Sequence, residues 1–253
     1  MWRRVGLSAR QAVAALSPYL SDTRRRTLEG ALRGRTEKVR LVLENVANPR
    51  NAGAALRTAE GVGVHHVDIV ADEDHFDHAF RSQSAARWLG LRRFDAAADM
   101  LAAPPFDASS TLLLTAELSP TARPLPLWRE DLAAAIHDDG KTLALAFGNE
   151  RLGVSSELSA AAHGAFVLPL RGMTQSFNIS VAVGMTMAYL QAWGLLSDAH
   201  FDARAGLAGS SAAELTAASE LTDAQAELLA TWYTTAVGHA PAILERAAEA
   251  ETK

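Results

Sequence analysis

Cysteine is absent from the 253-residue sequence, which excludes disulfides, thiol nucleophiles and cysteine-bound metals. Aromatic residues are scarce at 6%, and the 17 glycines and nine prolines follow no repeat, so collagen-like and low-complexity architectures are excluded. No uninterrupted apolar run opens the chain. Residues 1–20 hold Arg3, Arg4 and Arg10 and no acid before Asp22, a faint likeness to a transit peptide that lacks the apolar core of a secretory signal. The longest weakly polar stretch, 177–196, is rich in Ala, Gly, Ser and Thr and includes Asn178 and Gln191; it reads as a buried helix rather than a membrane span. A cytoplasmic protein with no membrane partner is the expectation.

What is present is a chain with a core. A hydrophobic fraction of 49% against 21% charged residues suits one large domain, or a medium domain with helical appendages. The net charge of −5 hides an asymmetry: residues 1–50 carry eleven Lys and Arg against four acids, and the remainder carries −12. A cationic segment on an acidic body suits a protein that meets a polyanion on one side, and equally a solvated helix with surplus arginine.

Short β-like runs at 40–44, 66–70, 111–115, 142–147 and 165–168 alternate with helical patterns at 52–61, 126–137, 155–162 and 176–195. Such alternation predicts an α/β domain with a largely parallel sheet. Before it, 22–36 reads as a basic helix with Arg24, Arg25, Arg26, Arg33 and Arg35; after it, an Ala/Gly/Ser-rich link at 197–213 leads into a helical tail at 215–250, interrupted near Gly238 and Pro241. Pro104-Pro105 breaks any helix in 95–110.

Three stretches place polar residues where loops follow strands, the end of an open α/β sheet at which ligands bind. In the first, 41–59, a strand ends at Glu44-Asn45, Asn51 stands where a helix N-cap belongs, and Arg57 follows six residues later, as a surface ion-pair partner or a catalyst. In the second, 143–156, a strand runs into Gly148 and Gly153 with Asn149, Glu150 and Arg151 between them; an ordinary turn capped by Ser155 explains it as well as a ligand site does. In the third, 167–189, Pro169 and Gly172 end a strand, and Ser176 and Asn178 open a helix expected to be buried all round, with Ser180, Gly184 and Ala188 along one small-residue face. Small faces admit close backbone approach by another segment or subunit.

His65, His66, His75 and His78 stand among Asp68, Asp72, Glu73, Asp74 and Asp77 without a recognised ligand spacing, so this segment reads as a solvated acidic loop and no metal is expected.

Taken in order, NPRNAGAALRTAEGVG (48–63), FGNERLGVS (147–155) and LPLRGMTQSFNISVAVGM (168–185) resemble the three motifs of the SpoU branch of the SPOUT RNA methyltransferases, and the third looks most like its TrmH-type members. The resemblance covers residues 22–250. It implies a SPOUT-type α/β knot: a mainly parallel sheet with a C-terminal trefoil knot, flanked by N- and C-terminal helices, in a homodimer. It divides the chain into an extension (1–21), a basic helical RNA-contacting segment (22–39), the methyltransferase domain (40–196), and a linker with helical tail (197–253). It also implies an enzyme that methylates a ribose 2′-hydroxyl of tRNA, guanosine 18 in the D-loop, from S-adenosylmethionine. The same reaction on ribosomal RNA or another tRNA position, and a non-catalytic RNA-binding member of the fold, are the alternatives.

By resemblance the donor site comprises Thr115, Phe147, Gly148, Asn149, Leu168, Pro169, Leu170, Gly172, Phe177 and Asn178, and the catalytic set is Asn51, Arg57, Glu150, Ser176 and Asn178. RNA would be met by Arg24, Arg25, Arg26, Arg33, Arg35 and Arg50. Arg57 would accept the hydroxyl proton with help from an RNA phosphate, or clamp that phosphate bidentately. Phe177 stands where the motif usually has leucine, which alters the shape of an apolar pocket without removing it.

Overall fold

The computed structural model describes residues 1–107, 109–196 and 221–251, so the 197–213 link and the first residues of the expected tail lie outside the described residues. In chain order the elements are α1 (Ala9–Leu16), α2 (Asp22–Arg33), β1 (Thr36–Glu44), α3 (Pro49–Gly61), β2 (Val64–Val70), α4 (Glu73–Phe76), β3 (Gly90–Phe94), α5 (Ala97–Ala102), β4 (Thr111–Ala116), β5 (Arg123–Pro124), α6 (Arg129–Ala133), β6 (Thr142–Phe147), α7 (Ser156–Ala161), β7 (Gly164–Val167), α8 (Ile179–Ala192), α9 (Asp223–Ala236) and α10 (Ala240–Glu251). They form two compact units, Met1–Gly34 with Phe201–Lys253, and Arg35–His200.

The described part of the first unit is helical. α1 starts at a capping box between Ser8 and Gln11 and packs on α9 and α10, burying Ala12, Val13 and Leu16. α2 packs on α9, where the Tyr233 hydroxyl donates to the buried Glu29 carboxylate at 3.1 Å. Burial, reinforced by the Glu29 charge, pushes the Tyr233 phenol up to about 12. Arg10 donates to the Leu221 carbonyl at 2.6 Å. The first 21 residues, which the resemblance sets apart as an extension, thus contribute α1 to a helical unit. The basic helix ends at Arg33, and Thr36 already opens β1, so the stretch 22–39 contains two structures.

The second unit is a seven-stranded sheet of order β3-β2-β1-β6-β4-β7-β5 in which every pairing is parallel. β1 is central. The order reverses beside it, since β2 and β3 extend to one side and β6, β4, β7 and β5 to the other. Side chains alternate along β1: Val39, Leu41 and Leu43 join the core beneath α3 and α8, while Val42 joins Val70, Leu113, Ala144 and Ala146 against Met100 of α5 and Leu158 of α7. The five strands expected from sequence are all present. β3 and β5 are additions: GLRRF is a half-buried edge strand with two arginines, and β5 is two residues long.

Polar residues inside this sheet are paired. Asp68 is fully buried on β2; it accepts from Arg40 Nε of β1 at 2.8 Å and from Arg92 Nε of β3 at 2.6 Å. Two guanidinium groups around one carboxylate explain how charged residues enter a buried strand face. The segment 65–78 is therefore not a solvated loop, a correction to the sequence reading. His65 and Asp68 are buried in β2, Asp72 caps α4 through the His75 N–H at 2.8 Å, and Asp77 pairs with Arg81 at 2.9 Å. Among the described residues no group of three or more such side chains could hold a metal ion, and no helix is long and apolar enough to cross a membrane.

Two outcomes follow for stability. Asp68→Asn leaves two guanidinium groups without a carboxylate and should cost roughly 3–5 kcal/mol in urea unfolding. Burial, with smaller contributions from His66, Arg35 and Arg40, holds the His65 imidazole down at about 4. The unfolded chain, with an ordinary histidine near 6.5, takes up that proton first, so stability should be complete above about pH 6.5 and decline steadily toward pH 4. Glu37, held below the usual carboxylate range chiefly by its hydrogen bond to His66, adds a loss of the same sign at the acid end. His65→Gln should flatten the profile between pH 6.5 and 4 in denaturant titrations.

Candidate active site

The site lies in the second unit, at the carboxyl ends of the strands. β1 ends at the buried Glu44, whose carboxylate accepts from the Ser155 N–H at 2.7 Å. Asn45 then turns the chain with a φ of 51°, a left-handed conformation that asparagine tolerates. α3 begins at Pro49, with Asn48 as cap accepting from the Arg50 N–H. This corrects the expectation that Asn51 caps the helix: proline is favoured at the first helical position, so the cap falls one residue before it and the Asn51 side chain is released from capping.

Asn51 instead joins the three motif loops. Its Nδ2 donates to Glu150 Oε1 at 2.8 Å, and its Oδ1 accepts from Asn178 Nδ2 at 3.1 Å. Glu150 also accepts from the N–H groups of Ala47 at 2.9 Å and Asn48 at 3.2 Å. Partial burial opposes its ionisation, but the hydrogen bonds from Asn51 and from the Ala47 and Asn48 N–H groups outweigh it and hold the carboxyl below the usual range. Glu150 is thus a charged brace with its lone pairs engaged, which suits positioning better than proton transfer at neutral pH.

The turn after β6 is shaped by two glycines. A Cβ on Gly148 would lie 2.1 Å from the Gly153 backbone, and Gly153 itself has a φ of +72°. Asn149 ties this turn to the first loop by donating to the Asn45 carbonyl at 2.7 Å. Asn178 caps α8 through the Ser180 N–H at 2.9 Å while donating to Asn51. The third helix therefore starts at Ile179, three residues after the expected Ser176, and it is not buried all round: Val181 is 47% exposed, and the Gly184–Ala188 side is open.

Around these loops is a cavity of 580 Å³. Of the expected donor-site residues, Phe147, Gly148, Asn149, Leu168, Leu170, Phe177 and Asn178 line it, as do Glu150 and Ser176 of the catalytic set. Ser176 has no hydrogen-bond partner among the described residues. Pro169 and Gly172 are exposed and outside the lining, and Thr115 is fully buried on β4, its hydroxyl directed to the Gly164 carbonyl at 3.4 Å. Arg57 lies outside the cavity too, exposed on α3 and without a partner among the described residues. Sequence reasoning missed Glu117, which follows β4 and lines the cavity with a buried Oε1 that has no hydrogen-bond partner. Its position just past a strand end was the available signal.

The RNA-contact set divides. Arg24, Arg26 and Arg33 are exposed on α2, and Arg50 is exposed on α3. Arg25 is three-quarters covered and pairs with Asp22 at 3.8 Å. Arg35 is excluded from solvent, its guanidinium 4% exposed and bound to the Glu60 carboxylate at 2.8 Å and the Glu60 carbonyl at 2.9 Å, so it braces the fold and is not available to RNA.

Residues 38–188 match the model of the SpoU rRNA Methylase family. The chain belongs to this family. A SpoU-family relative from Thermus thermophilus, a tRNA (guanosine(18)-2′-O)-methyltransferase, is 36% identical over 171 residues, covering 66% of this chain and 81% of its own. The 23S rRNA (guanosine-2′-O-)-methyltransferase RlmB of Nitrosomonas europaea is 30% identical over 193 residues, 73% of this chain and 67% of its own. The A. aeolicus TrmH/SpoU tRNA modifying enzyme superposes with a TM-score of 0.61 over 85% of this chain and 96% of its own, at 24% identity, which shows a common fold.

In this SpoU-family site, Glu150→Gln replaces one acceptor oxygen by an NH2 group facing N–H donors. The exchange should cost about 1–3 kcal/mol of stability, read by thermal melting, and should loosen the loop at 45–51, read as faster amide exchange at Ala47 and Asn48.

Proposed function

We propose that this chain transfers a methyl group from S-adenosylmethionine to a ribose 2′-hydroxyl of tRNA, at guanosine 18 of the D-loop, as a cytoplasmic homodimer. The observation that carries the reading is the link Glu150–Asn51–Asn178, which holds the three motif loops together beside the cavity. Family membership and the guanosine-18 activity of the Thermus relative support it.

The cavity suits the donor. Phe147, Leu168, Phe177 and Ile179 give it an apolar wall, and Gly148 lets backbone approach closely. The orphaned Glu117 oxygen is an acceptor for hydroxyl or ammonium hydrogens of the bound donor. When bound, S-adenosylmethionine supplies an electrophilic methyl group on a sulfonium. The chain's own part is positioning: Asn178, fixed by Asn51, and the free Ser176 hydroxyl stand where the ribose must enter. Arg57, exposed and unpaired, clamps an RNA phosphate and so orients the 2′-hydroxyl; a guanidinium stays charged at neutral pH, which argues against its taking the proton. The trefoil knot belongs to this proposal as well, supported by the placement of β6 and β7 on either side of β4 with their loops around one cavity. Pairing with a second copy is supported by α8, whose charge-free side bears Val181, Gly184 and Ala188. The exposed arginines of α2 supply further RNA contact.

Ribosomal RNA is the second reading, favoured by the Nitrosomonas relative. Incubation with labelled donor and unmodified tRNA or 23S rRNA transcripts, followed by mapping of the methylated nucleotide, decides between them. Label at guanosine 18 is the expected result; label in ribosomal RNA alone overturns it. Arg57→Ala should keep donor affinity by calorimetry and lower turnover at least 100-fold.

A further inference from the structure

A second cavity, also of 580 Å³, lies away from the donor site, where the chain runs from α4 toward β3. Exposed Arg81, Ser84 and Arg87 line it together with the buried Phe76 and Leu89. The Arg81 guanidinium lies 5.2 Å from the centre of the Phe76 ring and is held there by Asp77 at 2.9 Å. Arg87 is steadied by its Nε, which donates to the Ser84 carbonyl at 3.1 Å. Both guanidinium groups keep further N–H donors directed outward, and the Ser84 hydroxyl has no partner among the described residues.

The cavity adjoins α3 directly. Gln83 donates to the Pro49 carbonyl at 3.4 Å and to the Ala79 carbonyl at 3.0 Å. A Cβ at position 53 would lie 2.2 Å from Gln83 Oε1, so the Gln83 side chain packs directly over residue 53. The exposed positions of α3 beside that contact are Arg50, Ala54 and Arg57, at intervals of four and three residues and therefore on one helix face. Arg50 and Arg57 are about 10 Å apart along the axis. Neither has a side-chain partner among the described residues. In this region Asp77 pairs with Arg81, while the chain beyond residue 50 is acidic overall at −12.

The geometry points to a phosphodiester-binding strip: Arg81 and Arg87 with Ser84 hold the sugar-phosphate backbone of the substrate RNA, continuing the contact begun at Arg50 and Arg57. This rests on the proposed RNA substrate and adds a binding site to it. Guanidinium groups spaced over more than one helical turn suit successive phosphates of a polyanion better than a single small anion. An apolar floor of Phe76 and Leu89 offers a surface for a ribose or base beside the backbone.

The test is equilibrium binding of an unmodified tRNA transcript at a series of salt concentrations, with the full chain and its Arg81→Gln/Arg87→Gln variant. Loss of two phosphate contacts should weaken binding roughly tenfold at low salt and reduce the slope of log K against log salt by about 1.4–1.8, leaving donor affinity by calorimetry unchanged. Arg81→Lys/Arg87→Lys should restore most of the slope. Arg246→Gln, which removes an exposed charge from α10, serves as control and should change neither quantity. Wild-type affinity and slope in the double variant overturn the site, and so does an equal loss in the control. Because binding is read without methyl transfer, a failure of the guanosine-18 assignment is separately visible: RNA binding that depends on Arg81 and Arg87 with no label at that nucleotide refutes the assignment and leaves the strip standing.

Discussion

One carboxylate sets the geometry on which the site depends. Glu150 accepts from two backbone N–H groups of the loop after β1 and from the Asn51 amide, so the second motif is fastened to the first at three points. That fastening determines which way the Asn51 amide faces, since a carboxylate can only accept. With Nδ2 committed to Glu150, Oδ1 is left for Asn178. Asn178 is constrained in turn, because its own oxygen caps α8. Three amides and acids from distant parts of the chain are thereby held in a single donor-to-acceptor order, and each hydrogen bond removes the freedom of the next to flip.

The sheet makes this meeting possible. When every pairing is parallel, all strands leave the sheet at the same end, and the loops after β1, β4, β6 and β7 are gathered there without further arrangement. β1 and β6 are neighbours, with Leu43 beside Phe147, so the first and second motifs begin side by side. Packing of α3 against α8 on one face then brings Asn51 to Asn178. The other face, which carries no motif residue of the link, holds the Arg40–Asp68–Arg92 cluster and anchors the three strands on that side of the sheet.

Legibility in the sequence followed the same division. Strands that cross the apolar middle of the sheet, such as LVL at 41–43 and LALAF at 143–147, declare themselves by composition. GLRRF does not, because its Arg92 is neutralised by Asp68 on a neighbouring strand, a contact invisible to any local window. The same non-local pairing hid Asp68 among what read as solvated acids and made Arg35 look available to RNA. At the site, the motif residues Asn51, Glu150 and Asn178 were nominated together, yet their roles were not legible. Capping by Asn48 in place of Asn51, and the service of Glu150 as a brace, depend on which N–H groups a loop presents. For Glu117 the place just past a strand end is a weak signal shared by many residues; the lack of a partner for its buried oxygen is what marks it, and that is visible only in the structure.

The exposed position of Arg57 separates two tasks that a sequence motif presents as one. The cavity is lined by apolar side chains such as Phe147, Leu168 and Phe177 and by polar ones such as Glu117, Glu150 and Asn178, with Arg151 as its one cation among the described residues, a mixed lining that suits a small donor with apolar and polar parts. The proposed polyanionic substrate would be met by a different surface, the outward face of α3, where Arg50 and Arg57 stand clear of the cavity. Guanidinium groups are poor tenants of an apolar pocket and good ones of a hydrated surface, because desolvating them costs more than a phosphate at the surface requires. Asn51 lies between the two tasks on the same helix, with its side chain turned to Glu150 and Asn178 while Arg50 and Arg57 face outward. Under the proposed function α3 would therefore carry the substrate's register toward the cavity as a rigid element: a phosphate held at Arg57 would fix the ribose relative to Asn51, and through Asn178 relative to the cavity, with no loop between Arg57 and Asn51 to absorb the error.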